Sequence, residues 1–475
     1  MPEKFNILLI TSDSQRTDSL SCMGSPFAYS PCFDKLAEQG VLFTQAHSAA
    51  PVCMPARCSI MTGLHTPLHG CMENGLRPRE GLIFFTDYLK KEGYINIIAG
   101  KTHFGPVPSS FDIQYITEGE KSIESNIVNE HSDSLIADNT INAIENVKKT
   151  GKPFFAFCSF RSPHSPVDPP GKWLTEKIFK NEIPLPNFTS NEWMNLPPSL
   201  KEFCGLPNTS QKKSKYPENI IEARGNVADA LGIDEIKAYN ELYYRSTAFI
   251  DSLTGRLVGY LDDSGLRRNT LVIFTSDHGL QNYDHGFNDK HNYYDESFRV
   301  PFIMSLPGTL PENEKREFAS HVDIAPTIMA AAGLKSGFTN GFDLFTPLIN
   351  NEKNPRHFAA ASLYGSLAIV TNKWKFEYYY LDDQFRLFDR INDRKETHNL
   401  SSDPHYHEVV SYLTHALLLW RTGLADSAEI RKSADRGGPV AMRVIKKVKA
   451  ENGNENEKNT EIFLSREPQQ CLNPI

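Results

Sequence analysis

The stretch Phe5–Arg16 reads FNILLITSDSQR, and its two halves ask for different surroundings. Phe5–Thr11 is a short apolar run with no polar alternation, so it predicts a strand buried on both faces, as in a parallel sheet. Ser12–Arg16 then places hydroxyls, a carboxylate and a guanidinium where that strand stops. Three other runs repeat the pattern. Ile95–Ala99 (INIIA) precedes Gly100-Lys101-Thr102-His103, and Pro153–Phe160 (PFFAFCSF) precedes Arg161-Ser162-Pro163-His164. Leu271–Thr275 (LVIFT) precedes Ser276-Asp277-His278-Gly279. Helical patterns lie between them over 132–149, 242–261 and 323–334. Strands alternating with helices predict an α/β fold with a large, doubly wound, mixed or parallel sheet flanked by helices. Ligands of such sheets bind outside the carboxyl ends of the strands. Asp13, Asp277, Lys101, His103, His164 and His278 are therefore expected along one edge. An Asp after a strand is often only a turn or helix cap, but capping does not account for four such clusters.

Composition narrows the class. The 475 residues are 40% hydrophobic and 23% charged, which places the chain among globular proteins. A net charge of −8 offers no basic stripe for phosphates, so no nucleic-acid partner is expected. No apolar run approaches the roughly 18 to 20 residues of a membrane span, so no membrane association is expected. The run Phe5–Ile10 lacks a small-residue cleavage site behind it and reads as a strand rather than a signal segment. Eight cysteines are too sparse for a disulfide scaffold. The expectation is a cytoplasmic enzyme with reduced thiols; the sequence permits a homo-oligomer without requiring one.

Residues 1–354 are assigned to the catalytic α/β domain, with a Pro-, Asn-, Ser- and Lys-rich insertion over 180–239. Residues 355–424 predict a smaller subdomain: an antiparallel sheet over 358–361, 367–371, 373–381 and 385–389, closed by a helix over 407–418. Residues 425–475 read as a charged, Asn-rich tail, poorly ordered or strapping.

One local motif is sharper than the rest. Cys53-Met54-Pro55-Ala56-Arg57 sets a thiol just ahead of a Pro and a helical run to Thr62, a position where anions are favoured and a thiol pKa is lowered. A capping cysteine without chemistry is the plainer alternative. Gly100-Lys101-Thr102 looks like the end of a phosphate-binding P-loop, but Ile95 stands where that motif needs glycine.

Cys53-x-Pro55-x-Arg57, followed by Met61-Thr62-Gly63, resembles the signature of type I sulfatases in the alkaline-phosphatase superfamily. The likeness runs from Asn6 to about Leu400. It takes in Gly100-Lys101-x-His103, Pro163-His164-x-Pro166, Ser276-Asp277-His278-Gly279, Asp284-His285-Gly286, Lys290, Tyr294-Asp295-Glu296-Ser297, Val322-Asp323-Ile324-Ala325-Pro326-Thr327 and Leu387-Phe388-Asp389. CxPxR alone is short enough to match by chance; the ordered set is specific.

The resemblance implies that a formylglycine-generating enzyme converts Cys53 to formylglycine (3-oxoalanine), whose hydrate attacks sulfur. It implies one divalent cation, calcium first, held by Asp13, Ser14, Asp277, His278 and residue 53. Arg57, Lys101 and Lys290 would supply positive charge, His164 with Lys290 would protonate the leaving oxygen, and His103 would deprotonate the second hydroxyl. A gem-diol can release sulfate where a plain serine ester would stall.

Two positions depart from the commonest family pattern. Ser14 stands where many members carry a second Asp, and His278 where many carry Asn. Imidazole suits manganese, zinc or iron better than calcium. Asp-His also occurs in relatives that cleave phosphonate monoesters and phosphodiesters. The leading expectation is a sulfuric ester hydrolase acting on a sulfated carbohydrate, an imported mono- or oligosaccharide attacked from its end, or on a small organosulfate. A phosphonate monoester or phosphodiester hydrolase is the alternative, and a non-catalytic binding homologue a third. His285 reads equally as a site residue or a loop residue, and Tyr378-Tyr379-Tyr380 as a sugar subsite or, more commonly, a sheet segment.

Overall fold

The computed structural model describes residues 4–117, 131–187, 195–204 and 233–435. Most of the insertion expected over 180–239, and residues 436–475 of the expected tail, lie outside the described residues. Cα packing divides the chain into Met1–Arg356 with Leu363–Gly365, and His357–Ser362 with Ser366–Ile475.

The first unit is built on an eight-stranded sheet. Its strands are β1 (Asn6–Asp13), β2 (Val41–His47), β3 (Ile95–Gly100), β4 (Ile113–Ile116), β5 (Phe154–Pro163), β6 (Thr270–Ser276), β7 (Phe302–Ser305) and β8 (Glu314–Ser320). They lie in the order β4-β3-β5-β1-β6-β7-β2-β8. The four apolar runs of the sequence are the adjacent, mutually parallel strands β3, β5, β1 and β6. β7 runs antiparallel to both neighbours, which makes the sheet mixed. Register explains the continuous apolar runs. Ile7 and Leu9 align with Phe155 and Phe157 on β5 and with Leu271 and Ile273 on β6, and all six enter one core. Leu8 and Ile10 align with Ala156, Cys158, Val272 and Phe274, and these enter the core on the opposite face. With both faces covered, neither parity of the strand can be polar.

Three helices matter for the site. Ser132–Lys148 and the long Ile233–Asp263 cover one face; Phe249, Ile250, Leu253, Leu257 and Leu261 carry the contact, at helical spacing. Cys53–Thr62 lies on the other side, buried along its whole length, and Gly63 ends it with a left-handed φ of 67°. The chain leaves β1 toward β2 on one side and then crosses to β3 on the other, so the connections diverge and open a crevice at the carboxyl ends.

The second unit holds a four-stranded antiparallel sheet, β9 (Ala359–Leu363), β10 (Ser366–Val370), β11 (Trp374–Tyr379) and β12 (Gln384–Asp389), in the order β12-β11-β10-β9. The following helix runs from His407 to Asp435 rather than stopping near Leu418, so the stretch expected as tail begins as helix. Its stripe of Val409, Leu413, Ala416 and Leu417 packs on Leu367, Ile369, Trp374 and Phe376, enough apolar area to extend the helix past the point where its sequence turns charged. Tyr378 stacks on Phe385 at 4.7 Å and Tyr379 is buried; these aromatics serve the sheet.

Candidate active site

Four strand ends meet at the crevice. β1 ends on Asp13, and Ser14 turns the chain with a left-handed φ of 66°, a strain of the kind that collects at functional sites. The turn lets the Ser14 amide donate to Asp277 Oδ1 at 3.0 Å and the Gln15 amide to Ser276 Oγ at 2.9 Å. The loops after β1 and β6 are thereby tied together. Asp277 Oδ1 also accepts the His278 amide at 2.9 Å, and Asp13 Oδ1 accepts the Ser14 hydroxyl at 2.9 Å. Gly100 ends β3 with a φ of 102°, where a Cβ would collide with the Ser159 carbonyl; the close approach brings Lys101 against Asp13 Oδ2 at 2.5 Å.

The CxPxR spacing does structural work here. Cys53 opens its helix, and Arg57, four residues on, lies on the same face. The Arg57 guanidinium is wholly buried and spans both carboxylates: Nε donates to Asp277 Oδ2 at 2.8 Å, Nη2 to Asp13 Oδ2 at 3.0 Å and Nη1 to Ser159 Oγ at 2.7 Å. Burial and the neighbouring Cys53 sulfur push the Asp13 pKa up, but Lys101, His164 and Arg57 outweigh them and hold it well below the usual carboxylate range.

Around residue 53 the charge is positive. The sulfur is 1% exposed and lies 3.1 Å from His278 Nε2. Burial alone would raise its pKa, yet Lys290, Lys101, His278 and a hydrogen bond from His103 hold it well below that of a free thiol. The helix start expected to activate this thiol is therefore assisted by four side chains from other loops. Lys290 Nζ sits 3.4 Å from His164 Nε2, while His164 Nδ1 is 2.6 Å from the Ser165 carbonyl. A carbonyl only accepts, so Nδ1 carries the His164 proton and Nε2 receives one from Lys290. The same logic puts a His278 proton on Nδ1, 2.7 Å from the Gly279 carbonyl, so Nε2 is the nitrogen that faces residue 53. Burial would lower the His278 pKa, but Asp277 and the Cys53 sulfur outweigh it and raise it.

All ten residues singled out from the sequence thus converge: Asp13, Ser14, Cys53, Arg57, Lys101, His103, His164, Asp277, His278 and Lys290. Ligating atoms of Asp13, Cys53, Asp277 and His278 lie within 4.8 Å of one another, a spread that one cation with ligand bonds of about 2.0–2.6 Å can bridge. Two carboxylates, an imidazole nitrogen and the side chain of residue 53 make up the donor set. The residues fit a single divalent ion.

Several contributors escaped the motif reading. Tyr243 Oη donates to the Ser14 carbonyl at 2.7 Å and accepts the Arg16 amide at 2.8 Å, which holds the β1 loop from the long helix. Arg16 bridges Asp18 and Asp284, with Nη1 2.7 Å from Asp284 Oδ2; its place in the post-strand cluster was the available signal. The His285 ring stacks on Tyr294 at 3.6 Å and lies 3.5 Å from Glu296, so Asp284-His285-Gly286 serves the loop. Glu73 pairs with His291 at 3.0 Å, and Asn74 Oδ1 accepts the Met54 amide at 3.0 Å. Nothing local in the sequence distinguishes these residues from surface polar ones.

Residues 5–334 match the sulfatase family, and residues 283–422 match the C-terminal N-sulphoglucosamine sulphohydrolase family. The chain is 26% identical to the N-acetylglucosamine-6-O-sulfatase of Bacteroides thetaiotaomicron, over 84% of this chain and 83% of that protein. A solved structure of a protein in complex with its substrate D-glucosamine-2-N,6-O-disulfate shares the fold, with a TM-score of 0.75 at 22% identity over 89% of this chain and 99% of that one. The phosphonate monoester hydrolase of Agrobacterium radiobacter shares it equally, with a TM-score of 0.76 at 22% identity over 89% of this chain and 96% of that one.

Proposed function

The chain belongs to the sulfatase family and is a hydrolase of sulfate esters, and from that premise we propose that it desulfates small or chain-terminal sulfated carbohydrates through residue 53. The observation that carries this reading is the joining of Cys53 and Arg57, on one helix face, to Asp13, Asp277 and His278. Conversion of Cys53 to formylglycine by a generating enzyme would supply a hydrated aldehyde as nucleophile. A divalent cation, calcium by family likeness, would be held by Asp13, Asp277, His278 and residue 53 and would neutralise the sulfuryl oxygens.

The chain's own residues do the rest. Arg57 and Lys101 hold the two carboxylates in place for the ion. Lys290, with Lys101 and Arg57, faces the anionic sulfuryl group with fixed positive charge in a water-poor site. The acid for the leaving oxygen is the Lys290–His164 pair: with the His164 proton on Nδ1, the proton nearest the substrate is held on Lys290 Nζ. His103, hydrogen-bonded to position 53, is placed to take a proton there when sulfate departs. The almost complete burial of residue 53 supports an ester carried on a narrow, projecting group, hence attack at a chain end.

A second reading is favoured by His278 Nε2 lying 3.1 Å from the sulfur, since Asp-His pairs occur in phosphonate hydrolases of this fold. Two measurements test the choice. The mass of the Cys53 peptide, from protein co-expressed with a formylglycine-generating enzyme, should show thiol replaced by aldehyde. Turnover of an aryl sulfate should exceed that of an aryl phosphonate monoester; the reverse ranking would replace the sulfatase reading with the second one. An unmodified thiol beside an active generating enzyme would refute both.

A further inference from the structure

The segment Val322–Thr327 belongs to the ordered motif set yet enters none of the steps above, and neither does His321 just before it. His321 opens a 3-10 turn, His321–Asp323, at the end of β8. Asp323 anchors that turn from below. Its Oδ2 accepts the Ser320 amide at 2.9 Å and Arg356 Nε at 2.5 Å; its Oδ1 accepts the Phe342 amide at 2.8 Å and Arg356 Nη2 at 2.6 Å. Asp323 and Arg356 are both buried. The turn is therefore a rigid platform, and what it presents is the His321 ring.

That ring, itself wholly buried, reaches between two distant segments. Nε2 lies 2.9 Å from the Ser276 carbonyl, which can only accept, so Nε2 carries the proton. Nδ1 is then an acceptor: it takes the Ala49 amide at 3.4 Å and has Ser48 Oγ beside it at 3.3 Å. Ser48 Oγ in turn lies 2.8 Å from the Asp277 carbonyl and 2.7 Å from the Ala50 carbonyl. Burial, with Ser276 opposing and the charges of His278 and Arg57 assisting, pushes the ring pKa down to about 3, which keeps the ring neutral. One neutral ring thus touches the peptide before the Asp277-His278 pair and the segment that delivers Cys53.

We propose that His321 is a positioning residue that sets the separation between the Asp277-His278 ligand pair and the nucleophile at position 53. It works through the Ser276 carbonyl on one side and Ser48–Ala49 on the other, and touches neither ion nor substrate. The proposal rests on the reading of Asp277 and His278 as metal ligands, and the test keeps the two apart.

Two near-isosteric variants divide the ring's two bonds. In His321→Asn the amide oxygen replaces Nδ1 as acceptor for the Ala49 amide, and the bond to Ser276 is lost. In His321→Gln the amide NH₂ reaches the Ser276 carbonyl, and the Nδ1 acceptor is lost. Full-length protein is titrated with calcium and with manganese by calorimetry. kcat and KM for an aryl sulfate are measured on matured protein, normalised to formylglycine content, and melting temperatures are recorded in chelator. Loss of one buried hydrogen bond corresponds to about ten-fold. His321→Asn should weaken metal binding about ten-fold. His321→Gln should keep metal affinity within about three-fold yet lower kcat about ten-fold with KM unchanged. Wild-type affinity and kcat in both variants would overturn the proposal. So would equal losses in both that simply track the melting temperature. If a variant fails to fold, Ser48→Ala, which leaves the Asp323 platform intact and removes the hydroxyl between the ring and the Asp277 carbonyl, should lower kcat, and a wild-type kcat there counts against the proposal. Absence of cation binding by the wild-type chain would instead remove the metal reading and this proposal together.

Discussion

Replacing Arg57 is the most informative perturbation, because one side chain neutralises two buried carboxylates. In Arg57→Met the bonds to Asp13 Oδ2, Asp277 Oδ2 and Ser159 Oγ all vanish, leaving Asp13 with Lys101 and Asp277 with the Ser14 and His278 amides. Stripping one partner from a buried ion pair costs about 3–5 kcal/mol. Arg57→Lys keeps the charge but not the planar fork; the loss of one charge-assisted bond out of the fork costs about 1.5–3 kcal/mol. Urea unfolding should be followed in chelator, so that no cation stands in for the guanidinium. The pH dependence checks the cause. The Asp13 carboxyl is held below the ordinary value of 3.8, so its stabilising contribution is present above that pH and is lost as pH falls through the lower folded value. The gap between wild type and Arg57→Met should therefore be full at pH 7 and shrink below about pH 4. A Met variant within about 1 kcal/mol of wild type, or a gap unchanged in acid, would refute the argument that Arg57 acts as the charge bridge.

Other expectations follow from the same geometry. Lys290→Met should lower kcat about 10²–10³-fold on an alkyl sulfate and much less on a nitrophenyl sulfate, whose leaving oxygen needs no proton; equal losses on both would remove Lys290 from the acid role. His278→Asn exchanges an imidazole for an amide oxygen and should move the metal preference toward calcium over manganese, read by restoring activity to chelated enzyme; an unchanged ratio means that His278 does not ligate. Asp251, which caps the helix Pro31–Glu38 by accepting the Cys32 and Phe33 amides, is pushed by burial to a pKa of about 7. A carboxyl whose folded pKa is raised binds more protons when folded, so stability should fall as pH rises from about 4 to 7. Asp251→Asn should flatten that part of the stability curve, and a slope identical to wild type would assign it to another group.

How far the fold was legible depended on burial. Strands β1, β3, β5 and β6 are apolar at both parities because each lies inside the sheet between two cores, and that pattern is local. β7 has only four residues, and β8 alternates Glu314, Lys315 and Arg316 along an edge before its buried end; neither leaves a mark that a short window can read. The closing helix was underestimated because its charged second half is continued from a packed first half. His285 drew attention as part of a motif, but only its stacking on Tyr294 shows that it serves a loop.

Sequence alone determined which residue types stand at the four strand ends, and that Cys53 stands at the start of a helix, since strand burial and helix-start signals are local properties. It could not determine which oxygen each cation takes, nor the tautomer of His321, nor that Val322–Thr327 belongs to a platform beneath the site. Those depend on partners far away in the chain. Arg57 meets Asp277 across 220 residues and His321 meets Ser48 across 273. Pairings of that range exist only once the sheet has closed and the solvent that would otherwise satisfy these groups has been excluded.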